Sequence, residues 1–236
     1  MPNEPERRRA RPLHVDAVLF DLDGTLADSA GDLAEALNRV RADCGLPPLA
    51  RITLRDHASS GARGLLGAGM GITPAAPDYV ELRDAFLAHY AACLAETTVL
   101  FAGVADLLAA IERRGLPWGI VTNKFARFTG PVVDALALSA RAATVVSGDS
   151  TPNPKPHPAP LLHAARELRV PPARCLYVGD DLRDVQAGNA AGMPTIVAEY
   201  GYLGPGADCA TWPATGWITE PLSLLGWLPG GIPAKI

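Results

Sequence analysis

Two aspartates one residue apart, Asp21 and Asp23, stand at the end of the run V-D-A-V-L-F and are followed by Gly24-Thr25. On an extended chain side chains repeat every second residue, so the two carboxylates point to the same side. Like charges held that close repel each other and cost stability. A divalent cation with a preference for oxygen ligands offsets the repulsion, which makes the pair a candidate metal and acid–base site. The same letters also suit a buried strand running into an acidic turn, where Asp-Gly is at home.

Three later segments supply partners. The run Pro117–Val121 leads into Thr122-Asn123-Lys124, Lys155 stands between two prolines in P-N-P-K-P-H-P, and the run ending at Val178 leads into Gly179-Asp180-Asp181, with Asp184 one helical turn on. Each has an ordinary structural use. Thr122 and Asn123 can cap a helix, Lys155 can be an exposed loop residue, and Asp180, Asp181 and Asp184 can form the acidic first turn of a helix. Their joint occurrence, each at the end of an apolar run, points instead to a phosphate-plus-cation site.

The elements that must position these residues alternate. A first strand is expected over Asp16–Phe20. Leu33, Leu37, Val40 and Cys44 then fall at helical spacing, followed by helical stretches over Thr53–Leu66 and Ala76–Glu96, with no strand candidate from Asp28 to Thr97. From Val104 onward helices of about ten residues alternate with strands at Pro117–Thr122, Ala143–Ser147, Arg174–Val178 and Thr195–Ala198, a pattern of βαβ units and a parallel sheet. The fold class is therefore α/β, a Rossmann-like parallel sheet with helices on both faces and an inserted all-helical cap. The expected organisation is a disordered tail over residues 1–13, a core made of 14–27 and 98–228, a cap over 28–97 and a tail over 229–236, the Gly-, Pro- and Trp-rich segment after Gly201 wrapping the surface. In such sheets ligands sit at the carboxyl ends of the strands, which is where every candidate falls.

Composition narrows the partners. An apolar fraction of 48% supplies a core, and a net charge of −4 makes the chain no electrostatic match for nucleic acid. The four cysteines are scattered without metal-like spacing, as expected in a reducing compartment. No apolar run approaches the roughly 20 residues that span a bilayer. The cluster Arg7-Arg8-Arg9 is not followed by an apolar segment, so no signal peptide is expected and the protein is placed in the cytoplasm, as a monomer or homodimer.

D-L-D-G-T-L, the strand-ending Thr-Asn, Lys155 and G-D-D-L-R-D resemble the four motifs of the haloacid dehalogenase-like phosphohydrolases, over about Asp16–Tyr202. T-N-K-F-A-R-F, K-P-H-P-A-P-L-L and Y-G-Y-L are similar to bacterial phosphoglycolate phosphatases, and S-G-A-R with W-G-I-V-T-N-K is as close to N-acetylmuramic acid 6-phosphate phosphatases. The resemblance implies a Mg2+-dependent phosphatase acting on a small phosphorylated metabolite. 2-Phosphoglycolate is the first candidate, N-acetylmuramic acid 6-phosphate or another sugar phosphate the alternative, and a phosphomutase reaction lies further off. By the same resemblance Asp21 attacks phosphorus to form an aspartyl-phosphate, and Asp23 protonates the leaving alkoxide and then activates water. Mg2+ is held by the Asp21 carboxylate, the Asp23 carbonyl and Asp180. Thr122 and Lys155 hold the phosphoryl oxygens, Thr25 and Asn123 join the substrate-binding set, and Asp184 orients Lys155 or a metal-bound water. Asp181 replaces the commoner small residue and has no assigned role. In the cap, Arg63 in its Ser-Gly-Ala-Arg-Gly turn is the candidate for gripping a substrate carboxylate, a surface position being the alternative.

Overall fold

The computed structural model describes residues 10–230. Its strands are β1 Ala17–Phe20, β2 Ala27–Asp28, β3 Val99–Leu100, β4 Trp118–Val121, β5 Thr144–Val146, β6 Cys175–Gly179, β7 Thr195–Ala198 and β8 Gly216–Ile218. Its helices are α1 Ala30–Asp43, α2 Arg51–Leu54, α3 Gly61–Met70, α4 Tyr79–Ala92, α5 Val104–Arg113, α6 Ala126–Ala135, α7 Ala159–Leu168 and α8 Leu182–Ala191. Six strands form one sheet in the order β5-β4-β1-β6-β7-β8, with every neighbouring pair parallel.

The strand sequences are apolar throughout because both faces of the sheet are covered. Val18, Phe20, Leu176 and Val178 pack with Leu107 and Ile111 of α5 on one face. Their neighbours Ala17, Leu19, Cys175 and Tyr177 pack with Leu161 of α7 and Ala187 of α8 on the other. The arrangement is the expected α/β sheet with helices on both faces.

Four helices, α1 to α4, stand between β2 and β3 and share an apolar cluster of their own, to which Phe128 and Tyr202 also belong. β2 and β3 pair with each other as a two-stranded antiparallel ribbon, Ala27 opposite Leu100 and Asp28 opposite Val99. A two-residue strand at Asp28 was not expected, being too short to leave a periodic signal.

The helical stretch expected over Thr53–Leu66 is divided. α2 passes into a 3-10 turn over Arg55–Ser60, and α3 starts at Gly61, whose φ of +55° interrupts the path. α6 begins at Ala126, whose N–H donates a 2.8 Å hydrogen bond to the carboxylate of Asp149, distant in sequence. The expectation of a surface-wrapping tail is corrected. Gly216–Ile218 adds a sixth strand beside β7, and Trp217, Leu224 and Trp227 are buried. Leu13, assigned to the tail, donates to the Trp227 carbonyl at 2.8 Å. Arg7-Arg8-Arg9 and residues 231–236 lie outside the described residues. No helix among the described residues is long and apolar enough to cross a membrane.

Candidate active site

The turn after β1 is tight. Leu26 and Ala27 both donate their N–H to the Leu22 carbonyl, at 3.0 and 2.8 Å, and Gly24 takes a φ of +87°. β6 delivers Asp180, fully buried, beside this turn. Its carboxylate accepts from the Thr25 hydroxyl and from the Tyr202 N–H, each at 2.9 Å. A Cβ on Gly24 would come within 2.1 Å of that carboxylate, so only glycine fits. Gly24→Ala is therefore expected to displace Asp180 and to weaken cation binding about 10- to 100-fold, the size of effects on groups that support a ligand. The shift of melting temperature on titration with a divalent cation checks this.

Lys155 reaches the same place from the loop after β5. Its ammonium lies 3.0 Å from Asp21 and 2.7 Å from Asp184, and it donates to the Tyr177 hydroxyl at 2.8 Å. Burial alone pulls its pKa down, yet the two carboxylates together hold it above the ordinary lysine value. Asp21, Asp180 and Asp184 can bring one oxygen each within 4.8 Å of one another. Three clustered carboxylates, Asp180 and Asp184 buried and Asp21 partly so, stand beside one buried ammonium, so negative charge is in excess. Burial raises Asp21 to about 7, with Asp184 and Asp23 adding to the rise and Lys155 opposing it. Asp180 is raised as well, first by burial and then by Asp21 and Asp184. Hard oxygen donors crowded against their own charge are what a divalent cation fits.

Without a cation the sign of the pH dependence follows. The folded state holds a proton on Asp21 that the unfolded chain releases near pH 4, so stability falls as pH rises from about 4 through about 7. Melting in chelator across that window, compared with Asp21→Asn, should show the decline in the native protein and a flatter profile in the variant.

Asp23 faces a different partner. Lys124 Nζ lies 2.8 Å from one of its oxygens and 3.0 Å from the other, and the Ser29 hydroxyl donates to it at 2.5 Å. Lys124 also sits 4.7 Å from the centre of the Tyr90 ring, which belongs to the cap. Thr122 is buried and its hydroxyl accepts from the Lys124 N–H at 3.2 Å.

The structure gives the other candidates the following surroundings. Thr25, expected in the substrate-binding set, is fully buried and its hydroxyl donates to Asp180. Asn123 lines the cavity, but its amide is engaged with the backbone of Lys155, donating to the carbonyl and accepting from the N–H at 2.9 Å each. Asp184 has both oxygens engaged, one with Lys155 and Tyr177 and the other with the Asp181 N–H, which makes it a positioning residue. Asp181 caps α8, pairs with Arg183 and accepts from the Ser59 hydroxyl at 2.6 Å, tying core to cap. Arg63 is exposed and is not among the residues lining the cavity; Arg83 is. Lys124 and Arg183 were both in view inside T-N-K and D-D-L-R-D, but nothing in those strings says which carboxylate each will meet.

The cavity has a volume of about 260 Å³, with Asp21, Asp23 and Lys155 on one side and the cap residues Arg83, Phe86, Leu87 and Tyr90 on the other. The family model described as haloacid dehalogenase-like hydrolase matches residues 15–192. The chain belongs to that family. The haloacid dehalogenase-like hydrolases use a divalent metal, in keeping with the acidic cluster here. Among its curated relatives, the N-acetylmuramic acid 6-phosphate phosphatase of Pseudomonas aeruginosa is 40% identical, over 90% of this chain and 94% of its own length. The phosphoglycolate phosphatase of Xanthomonas campestris pv. campestris is also 40% identical, over 92% and 97%. Among solved structures, a predicted phosphoglycolate phosphatase from Haemophilus somnus superimposes with a TM-score of 0.79 at 25% identity, covering 90% of this chain and 97% of that one. The enzyme is a phosphatase of the haloacid dehalogenase-like hydrolases, acting on small phosphorylated substrates.

Proposed function

We propose that this phosphatase hydrolyses a small phosphomonoester, with Mg2+ as its cation, through an aspartyl-phosphate on Asp21. The observation that carries the proposal is the pairing of Asp21 with Lys155 at 3.0 Å on the floor of a cavity that also exposes Asp23. An Asp21 oxygen attacks phosphorus and the ester P–O bond breaks, leaving the phosphoryl group on Asp21. Asp23 delivers a proton to the departing oxygen. As a carboxylate it then takes a proton from the water that attacks phosphorus and frees Asp21. Lys155 and Thr122 hold the phosphoryl oxygens, and Lys124 fixes the orientation of Asp23 through its paired contacts. Asp21, Asp180 and the Asp23 carbonyl would hold Mg2+, which when bound neutralises charge between the phosphate and the nucleophile.

2-Phosphoglycolate, the first candidate from the motifs, and N-acetylmuramic acid 6-phosphate both carry a carboxylate besides the phosphate. The cavity favours the larger. A two-carbon acid leaves the wall of Phe86, Leu87, Tyr90 and Phe128 uncovered, whereas a sugar ring can lie against it. The test is phosphate release by purified protein with Mg2+ from a panel holding both compounds and other sugar phosphates. Release from none of them overturns the proposal, and an isomeric phosphate in place of free phosphate would identify a mutase.

A further inference from the structure

Along α4 the residues Arg83, Phe86, Leu87 and Tyr90 recur at i, i+3, i+4 and i+7, so they share one face of the helix, and all four line the cavity. This face presents two polar groups that the chemistry at phosphorus does not use. The Tyr90 hydroxyl is buried and, although the Lys124 ammonium acts on it, donates to no acceptor among the described residues. Burial pushes the phenol up to about 12, so it remains a donor.

Arg83 is the second. Three other cations line the cavity, and each is engaged by a carboxylate of low exposure: Lys155 by Asp21 and Asp184, Lys124 by Asp23, Arg183 by Asp181. Arg83 pairs, among the described residues, with its neighbour Asp84, whose side chain is 61% exposed. Water screens such a pair, and the guanidinium can leave it at little cost. Its planar fork suits a carboxylate.

The helix also sets a distance. A rise of 1.5 Å per residue places Arg83 about 10 Å along the axis from Tyr90. The Tyr90 ring is itself against Lys124, next to Asp23. The anion-binding group therefore stands at the end of the cavity remote from the reacting atoms.

We propose that this face of α4 recognises the leaving group, with Arg83 taking a carboxylate on the side of the substrate away from its phosphate and Tyr90 donating to a polar group between them. The substrate class that fits is a hexose phosphate bearing such a carboxylate. The inference deepens the phosphatase reading and rests on it. It is tested with N-acetylmuramic acid 6-phosphate against N-acetylglucosamine 6-phosphate, which lacks the lactyl carboxylate. The wild-type enzyme is expected to prefer the first in kcat/KM by about tenfold or more, as a charge-assisted bond allows. Arg83→Gln should shrink that ratio by a similar factor, through KM more than kcat, and Arg83→Lys should restore part of it. Tyr90→Phe should lower kcat/KM on both sugars. No wild-type preference, or a preference intact in Arg83→Gln, overturns the carboxylate site. p-Nitrophenyl phosphate separates the two failures: its hydrolysis without discrimination between the sugars leaves the phosphatase standing, and no release from any compound removes both.

Discussion

Asp21→Asn is expected to lower kcat by at least about 10⁴-fold while leaving the fold intact, since removal of a nucleophile costs on that order or more. The side chains are nearly isosteric, and Lys155 keeps Asp184 at 2.7 Å, so no buried ammonium is stranded. What disappears is the anion that would attack phosphorus, together with one of three mutually repelling carboxylates. The variant should therefore melt no lower, and in chelator higher, than the native protein near neutral pH, because burial opposes the ionisation of Asp21. It should also gain less from added Mg2+. Steady-state phosphate release and melting curves with and without Mg2+ read both effects. Residual turnover within tenfold of native would remove Asp21 as nucleophile.

Lys155→Met has the opposite effect on stability. The ammonium is buried among Asp21, Asp184, the Tyr177 hydroxyl and the Val121 carbonyl. Replacing it with an apolar chain of similar length keeps the volume but leaves the carboxylates without their cation. Breaking a buried pair from one side costs about 3–5 kcal/mol, which for a chain of this size corresponds to a fall of roughly 6–20 °C in melting temperature. The loss should shrink in saturating Mg2+, which replaces some of the missing charge. Turnover should stay low in either condition, because the cation does not replace a donor to the phosphoryl oxygens. A melting temperature unchanged in chelator would contradict this account of the charge cluster.

The placement of Asp21, Asp180 and Lys155 was legible because strand ends are easy to find and a parallel sheet gathers them on one rim. The uses of Thr25 and Asn123 were not. A hydroxyl or amide at a strand end turns to whichever partner packing brings nearest, and here those partners are Asp180 and the Lys155 backbone, 155 and 32 residues away. In α4 the apolar spacing of Phe86, Leu87 and Tyr90 was visible, but a helix does not announce that part of its apolar face lines a cavity rather than a core. Arg83, at the same spacing, was hidden for that reason, and Arg63 drew attention through a glycine-flanked segment whose Ser60, Gly61 and Ala62 line the cavity while Arg63 itself is exposed. β8 was missed because Gly216–Ile218 is three residues long and lies among glycines and prolines.

The β2–β3 ribbon brings the chain's departure from the core and its return to it side by side. The core accordingly sees the whole cap as one short hairpin, and the entropy of closing that connection grows only slowly with what is spliced between its ends. Asp21, Asp180 and Asp184 take their hydrogen-bond and ion-pair partners from outside the spliced segment, and only Asp23 and Asp181 reach into it, to Ser29 and Ser59. A lineage can therefore rewrite the cap, in length and in sequence, and change which molecule is accepted while the machinery that cleaves the ester stays as it was. The cost of such an exchange would fall on Phe128 and Tyr202, which pack into the cap's apolar cluster and would need new cover.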